Sequence, residues 1–316
     1  MPKASRRMQI FPVELGGNVF TRFFAKLMDF SRMQLTVDYV KQRQLDNGGF
    51  FFAREAGTPS VEDTFYSIKI LKALGQDVPR KEQVARYLKG AQRQDGSFSS
   101  IEVARYVIEG LGELSDSFVV ERGFKNWLLS SSSHGFWLKS ESEIALELFE
   151  AATSVIKMTG MLDDVDVDRL RRDLAAFESE EGGYGIKRAT LSGTYYAVRS
   201  LWNLGFDVTG ECHDFLSKCE IKGLGFSERP MTYPPVISDI YHGIWLARAT
   251  GYGIASANSV RDFVLGFMNG NGGFRYFPEM GISNLENTYY AVESLKLLEV
   301  NDGMLQVDNL STTTWR

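Results

Sequence analysis

Only two cysteines, Cys212 and Cys219, occur among 316 residues, too few for a disulfide framework. The three histidines, His134, His213 and His242, come with no CxxC or HExxH spacing, so no metal site is indicated and no cofactor is expected. Positive charge is short as well. A formal net charge of -5 denies the chain the basic face that a phosphate backbone requires, which argues against a nucleic-acid partner. No apolar run reaches the roughly 18 uncharged residues that a membrane span needs. What remains is 44% apolar and 24% charged, which suits a soluble globular protein with a sizeable core, expected in the cytoplasm or peripherally at a membrane.

The first 35 residues stand apart. Lys3, Arg6, Arg7, Arg22, Lys26 and Arg32 face only Glu14 and Asp29, a balance of +4 that leaves -9 for the remainder. Val19, Phe20, Phe23, Phe24, Leu27 and Met28 recur at helical spacing, which predicts an amphipathic helix from Asn18 to about Arg32. Two readings compete for residues 18–32: a helix packed on the main domain, or a contact with a membrane surface. The domain division is therefore 1–35 for the extension and 36–316 for a single domain.

That domain is built from an echo. Glu181-Gly-Gly-Tyr-Gly185 followed by Ser192-Gly-Thr-Tyr-Tyr-Ala-Val-Arg-Ser-Leu201 returns as Asn271-Gly-Gly-Phe274 followed by Glu286-Asn-Thr-Tyr-Tyr-Ala-Val-Glu-Ser-Leu295. Glycine-aromatic turns recur six times, at Gly49, Gly96, Gly135, Gly183, Gly225 and Gly273, spaced 39 to 48 residues apart. A fixed-period echo signals a repeat architecture. Each turn is preceded by a helical pattern such as 84–92 and followed by a more apolar one that stops near a glycine, as at Gly75, Gly205 and Gly251. Six such hairpins cannot bury their apolar faces alone and must stack on one another. The second helices are apolar around most of their circumference, which fits an inner ring inside an outer one. The expected fold is a closed all-α, α/α toroid.

The turns Gln44-Leu-Asp-Asn-Gly-Gly-Phe50 and Gln92-Arg-Gln-Asp-Gly-Ser-Phe98, with their Thr-Tyr-Tyr-Ala helices, resemble the prenyltransferase and squalene-cyclase repeat over about residues 35 to 300. The resemblance implies an α/α toroid with an apolar central cavity for an isoprenoid chain. It also exposes departures. Where protein prenyltransferases hold zinc with an Asp-x-Cys pair and a later His, the similar positions here are Asp239, Tyr241 and Asn287, and neither Tyr241 nor Asn287 replaces thiolate or imidazole. Arg229, in Gly225-Phe-Ser-Glu-Arg229, is the counterpart of a diphosphate-gripping base. Trp245 resembles a pocket-lining tryptophan. The class II cyclase acid motif Asp-x-Asp-Asp-Thr is matched in part by Ser60-Val-Glu-Asp-Thr64, with Glu62 at the acid's position and Asp63 beside it.

Aligning the six inner helices gives a polar column, Glu62, Glu102, Ser142, Ser192, Ser238 and Glu286, and one turn deeper an aromatic one, Tyr66, Tyr106, Leu146, Tyr196, His242 and Tyr290. In a closed ring Glu286, Glu62 and Glu102 come from consecutive neighbours, and crowded carboxylates raise one another's pKa. The competing account is a set of solvated carboxylates favoured by helix N-termini. Three functions follow. One is an enzyme starting isoprenoid chemistry with a proton from Glu62, over an aromatic wall of Tyr66, Tyr106, Tyr196, Tyr241, His242 and Tyr290. The second is a catalytically idle toroid that binds a lipid or a partner subunit. The third is a glycan-acting toroid with paired carboxylates.

Overall fold

A computed structural model describes residues 30–52, 58–133 and 144–299. The turn at Gly135, Ser142 and nearly all of the segment 18–32 lie outside the described residues. Among those described are twelve α-helices. The odd-numbered ones are α1 Phe30–Lys41, α3 Lys81–Lys89, α5 Arg122–Ser133, α7 Val167–Ala175, α9 His213–Cys219 and α11 Ala257–Leu265. The even-numbered ones are α2 Val61–Ala73, α4 Ile101–Glu113, α6 Ile144–Met158, α8 Leu191–Asn203, α10 Ile237–Thr250 and α12 Leu285–Glu299. A two-residue hairpin, Glu220–Ile221 with Gly225–Phe226, is the one regular sheet among the described residues.

Sequence decides which helices lie inside. On α7 and α11 only Leu170 and Leu174, or Val260 and Val264, are buried, a single stripe with polar residues on the other faces. On α10 burial runs around the helix, from Ile237 through Tyr241, Gly243 and Trp245 to Thr250. The even helices pack each against the next, α2 on α4, α4 on α6, α6 on α8, α8 on α10 and α10 on α12, and α12 returns to α2. The even helices form a closed inner ring, and α1, α3, α9 and α11 pack outside on the inner helices that follow them.

The turns set the geometry. Gly48, Gly182 and Gly272 take φ of +93°, +86° and +88°, a region closed to most L-residues. The aromatic two positions on, Phe50, Tyr184 or Phe274, is buried, and its backbone N–H donates to a threonine hydroxyl of the following inner helix, Thr64 at 2.9 Å, Thr194 at 2.9 Å and Thr288 at 3.0 Å. This explains the recurring threonine before the paired aromatics. It satisfies a buried donor that neither helix nor strand would otherwise pair. Ser60, Ser100, Thr190 and Asn284 cap the starts of α2, α4, α8 and α12 by accepting from backbone N–H groups. Gly75, Gly205 and Gly251, with φ of +64°, +88° and +80°, end α2, α8 and α10.

The same turns join repeat to repeat. A Cβ on Gly48 would lie 2.5 Å from the backbone N of Val84 in α3, and one on Gly96 would lie 2.6 Å from that of Phe124 in α5. The last turn does the same to the first helix: a Cβ on Gly272 would lie 2.8 Å from the backbone N of Thr36, whose hydroxyl donates to Gly272 O at 2.8 Å. Helix α1 is thus the first outer helix, and residues 30–35 belong to it.

Candidate functional site

The described glycine turns lead directly into α2, α4, α8, α10 and α12, so the first-turn side chains of these inner helices lie at one end of the ring and form a mouth. Glu62, Glu102 and Glu286 stand there as the two columns predict. Tyr66 on α2 and Tyr290 on α12 donate hydrogen bonds to Glu286 Oε1 at 3.4 and 3.1 Å, and Tyr106 donates to Glu62 Oε1 at 3.3 Å. Burial raises the pKa of Glu286, and Asp63 adds to it, against the two tyrosine hydroxyls. The carboxyl of Glu62 is raised by the burial it keeps, then by Glu286 and Asp63, yet the residue as a whole is exposed. Water screens an exposed charge, so Glu286, half-buried under two tyrosines, is the more enclosed acid. One oxygen of Glu102, Oε2, is buried without a hydrogen-bond partner.

Asp63 takes another direction. Its carboxylate accepts from Ser60 Oγ at 2.7 Å while its N–H donates to the same oxygen, a reciprocal cap at the start of α2. Burial raises its pKa, against the Ser60 hydrogen bond and Arg43.

One column needs correction. On α6 the residue facing the mouth is Glu147, not Leu146: Leu146 is fully buried and packs toward Gly193 of α8. Burial raises the Glu147 pKa, with Glu102, Glu150 and Glu286 adding to it against Arg105. The helix is set one residue out of phase with the sequence alignment.

Below the rim runs a belt of aromatic rings. Tyr66 lies 6.0 Å from Tyr106, 5.3 Å from Tyr289 and 6.5 Å from Tyr290, centroid to centroid. Tyr290 stacks on Tyr241 at 5.1 Å, and Tyr241 lies 5.8 Å from Tyr195. His242 stacks on Tyr195 at 4.2 Å and lies 5.7 Å from Tyr196. Trp245 meets the edge of Tyr195 at 5.2 Å. Five of the six inner helices contribute. Burial, then Arg199, push the His242 imidazole down to about 3, so it is neutral, and its Nδ1 is buried without a hydrogen-bond partner.

Beneath the belt the interior is charged, where the resemblance implied an apolar cavity. Arg199 Nε lies 2.8 Å from Glu150 Oε1, and Arg105 Nη1 lies 3.7 Å from Glu150 Oε2. Lys69 Nζ lies 3.3 Å from Glu109 and 2.7 Å from Glu113. Arg199 also donates to the Tyr195 hydroxyl. Burial would push the Glu109 pKa up, but Lys69, Arg199 and Arg105 outweigh it and hold the carboxyl below its usual range. Lys157, its ammonium 3.3 Å from the Trp202 centroid, is lowered to about 8 by burial and Arg199. None of these charges stands in the two aligned columns. Seven residues beyond the acid column the sequence reads Lys69, Glu109, Phe149, Arg199, Trp245 and Glu293, so one further turn would have found Lys69, Glu109 and Arg199 but not Arg105, Glu113, Glu150 or Lys157.

Asp239 and Arg229 lie to one side, where α8 and α10 begin. Glu228 accepts from Ser192 N at 3.1 Å and Ser192 Oγ at 2.6 Å, and its own N–H donates to Asp239 Oδ2 at 3.1 Å. Burial and the Glu228 charge push Asp239 up to about 7. Arg229 is exposed, and its carbonyl accepts from Ser227 Oγ at 2.9 Å. The positions that would hold zinc do not suit it. The Tyr241 hydroxyl is engaged in the belt, 3.1 Å from Tyr289 Oη and 3.5 Å from Tyr195 Oη, and Asn287 supplies an amide where a zinc site of this kind needs a stronger donor. Among the described residues no three His, Cys, Asp or Glu side chains converge as metal ligands, and no helix is long and apolar enough to cross a membrane.

Two solved structures share this architecture. Candida albicans protein geranylgeranyltransferase-I complexed with GGPP is similar with a TM-score of 0.65 and 13% identity, covering 84% of this chain and 90% of that one. A type II terpene cyclase from Scytonema, in complex with geranylgeranyl dihydroxybenzoate, is similar with a TM-score of 0.54 and 10% identity, covering 89% of this chain and 97% of that one. At these identities the likeness is one of fold. No curated protein sequence matches the chain. The sequence profile of the prenyltransferase alpha-alpha toroid domain matches residues 22–205 and 186–315, nearly the whole length, and the chain belongs to that family.

Proposed function

We propose that the ring binds an isoprenoid chain against its tyrosine belt and, without zinc, starts chemistry on it by proton transfer from Glu286, with Glu62 beside it and Glu102 on the inner helix after that of Glu62. The observation that carries this reading is the enclosure of Glu286 where the belt begins: burial raises its pKa, against the hydrogen bonds that Tyr290 and Tyr66 donate to it. A carboxyl kept protonated can donate to an alkene carbon. The neighbouring carbon then carries positive charge, the ring faces of Tyr66, Tyr106 and Tyr290 stabilise it, and loss of a different proton returns a neutral, isomeric product. The two structural neighbours, described with geranylgeranyl compounds, support an isoprenoid of that size class. The acidic rim disfavours a diphosphate and favours a chain with a neutral end.

The test has two stages. Geranylgeraniol should raise the melting temperature of the protein and GGPP should raise it less. No shift with any polyprene, neutral or charged, sinks the binding reading. Incubation of neutral polyprenes in D2O should then give a product heavier by one deuterium, lost in Glu286→Gln. The exposure of Glu62 favours a second reading, a ring that binds the chain without converting it. Binding without deuterium uptake decides for that reading.

A further inference from the structure

Beside the mouth lies an apolar surface that the ring's chemistry does not use. Met231 is 100% exposed, Tyr233 73%, Met280 70% and Ile282 73%, and Tyr276 and Phe277 are each 43% exposed. These residues come from the two turns that precede α10 and α12, and Ile237 N donates to Tyr276 O at 3.2 Å to tie the turns together. The second turn is held in shape. Arg275 donates to Phe277 O and Pro278 O at 3.1 Å and to Asn269 Oδ1 at 2.9 Å, while Asn269 donates to Gly281 O at 3.3 Å. A turn braced in this way presents its apolar side chains at a low entropic cost of binding. Contiguous exposed apolar residues of this kind mark interaction sites.

We propose that this surface is the docking site of the chain's own residues 19–29. Connectivity supports it first. Thr36 of α1 is hydrogen-bonded to Gly272, and Tyr39 lies against Gly273, so the chain that precedes α1 enters beside the turn that carries Tyr276 to Ile282. Phe30 is about 9 Å along the helix from Thr36, at roughly 1.5 Å per residue. The eleven residues before it span about 16 Å as a helix and up to about 35 Å when extended. Tethering also gives such a segment a high effective concentration at the surface.

Composition supports it second. Residues 19–29 bring Val19, Phe20, Phe23, Phe24, Leu27 and Met28 together with Arg22 and Lys26. The surface is apolar and bordered by Glu228, Asp239, Glu279 and Glu286. Apolar residues meet apolar residues, and basic ones meet acidic ones. The same acidic border opposes an anionic bilayer. The inference does not depend on what chemistry the ring performs.

The test is disulfide trapping in the full chain, whose own cysteines, Cys212 and Cys219, are buried. Under mild oxidation the Phe24→Cys/Met280→Cys variant should give an intramolecular 24–280 crosslink. It should form at least tenfold faster than the crosslink in Phe24→Cys/Val119→Cys, which uses an exposed apolar position in the connection between α4 and α5. Adding Phe23→Asp and Leu27→Asp should bring the two rates together. Equal rates from the start overturn the proposal. Disulfide-linked dimers in place of the intramolecular bond overturn it in favour of a second copy. Co-sedimentation of the unmodified protein with phosphatidylcholine/phosphatidylserine vesicles, lost in Phe23→Asp, overturns it in favour of a lipid surface.

Discussion

Tyr66 and Glu286 lie 220 residues apart in sequence, yet the tyrosine hydroxyl donates to the carboxylate at 3.4 Å across the seam where the last inner helix meets the first. The candidate acid therefore exists only in the closed ring. Closure rests on the packing of α12 against α2, and the turn 272–274 adds a contact with α1 beside that seam.

That contact can be tested with two glycines of the same backbone geometry. Gly272 and Gly205 both have φ of +88°, so alanine at either position carries the left-handed penalty of about 1–2 kcal/mol. Around Gly205 an added Cβ meets nothing within 4 Å, whereas at Gly272 it runs into the backbone of α1. Gly205→Ala should cost little beyond the strain, and Gly272→Ala should cost several-fold more in urea denaturation. Similar midpoints for the two variants would show that α1 does not brace the ring.

The threonine contacts of the turns lead to a second expectation. Thr64, Thr194 and Thr288 are fully buried, and each accepts the backbone N–H of the turn aromatic. Valine keeps the shape and leaves that donor without a partner, which costs about 1–3 kcal/mol at each site. Ser67→Ala should be nearly neutral, because the Ser67 hydroxyl is buried with no hydrogen-bond partner. Equal losses for the threonine and serine variants would remove the turn hydrogen bond from the account of stability.

The turns and the two columns were legible because both depend on short, fixed spacings: glycine followed by a buried aromatic, then an acid four residues before a tyrosine. The charged floor was legible only in part: Lys69, Glu109 and Arg199 stand seven residues beyond the acid column, but Glu150 and Arg105 do not, and ring closure alone brings them together. The slip at Leu146 is one of phase: a single residue's error in the spacing between turn and helix moves a side chain by about 100° around the helix. The choice between Glu62 and Glu286 was also beyond the sequence. Both open an inner helix, and only the cover of Tyr66 and Tyr290 distinguishes them.

The floor makes a strong prediction because its charges are mutually dependent. Glu150 is nearly fully buried and is the ion-pair partner of both Arg199 and Arg105. Glu150→Met should destabilise the protein by about 3–5 kcal/mol by leaving buried guanidinium charge uncompensated. The double variant Glu150→Met/Arg199→Met should recover a substantial part of that loss. Additive losses in a double-mutant cycle would contradict the coupling.

The last prediction concerns pH and Asp239. Burial and Glu228 raise its folded-state value from 3.8 to about 7, so the folded chain holds this proton more tightly than the unfolded chain. For a group raised in this direction, the stability it contributes is complete below the unfolded value near 4 and is lost as pH rises through about 7. Asparagine at this position has no proton to lose, and its side-chain oxygen can still accept from Glu228 N. Stability of the unmodified protein relative to Asp239→Asn should therefore fall between about pH 4 and pH 7 and level off above. The measurement is the difference in urea midpoint between the two proteins at unit steps of pH, which removes titrations common to both. A constant difference across that window would mean that Asp239 ionises as freely as a solvated carboxylate. A difference moving the opposite way would mean that a cation faces Asp239 and dominates Glu228.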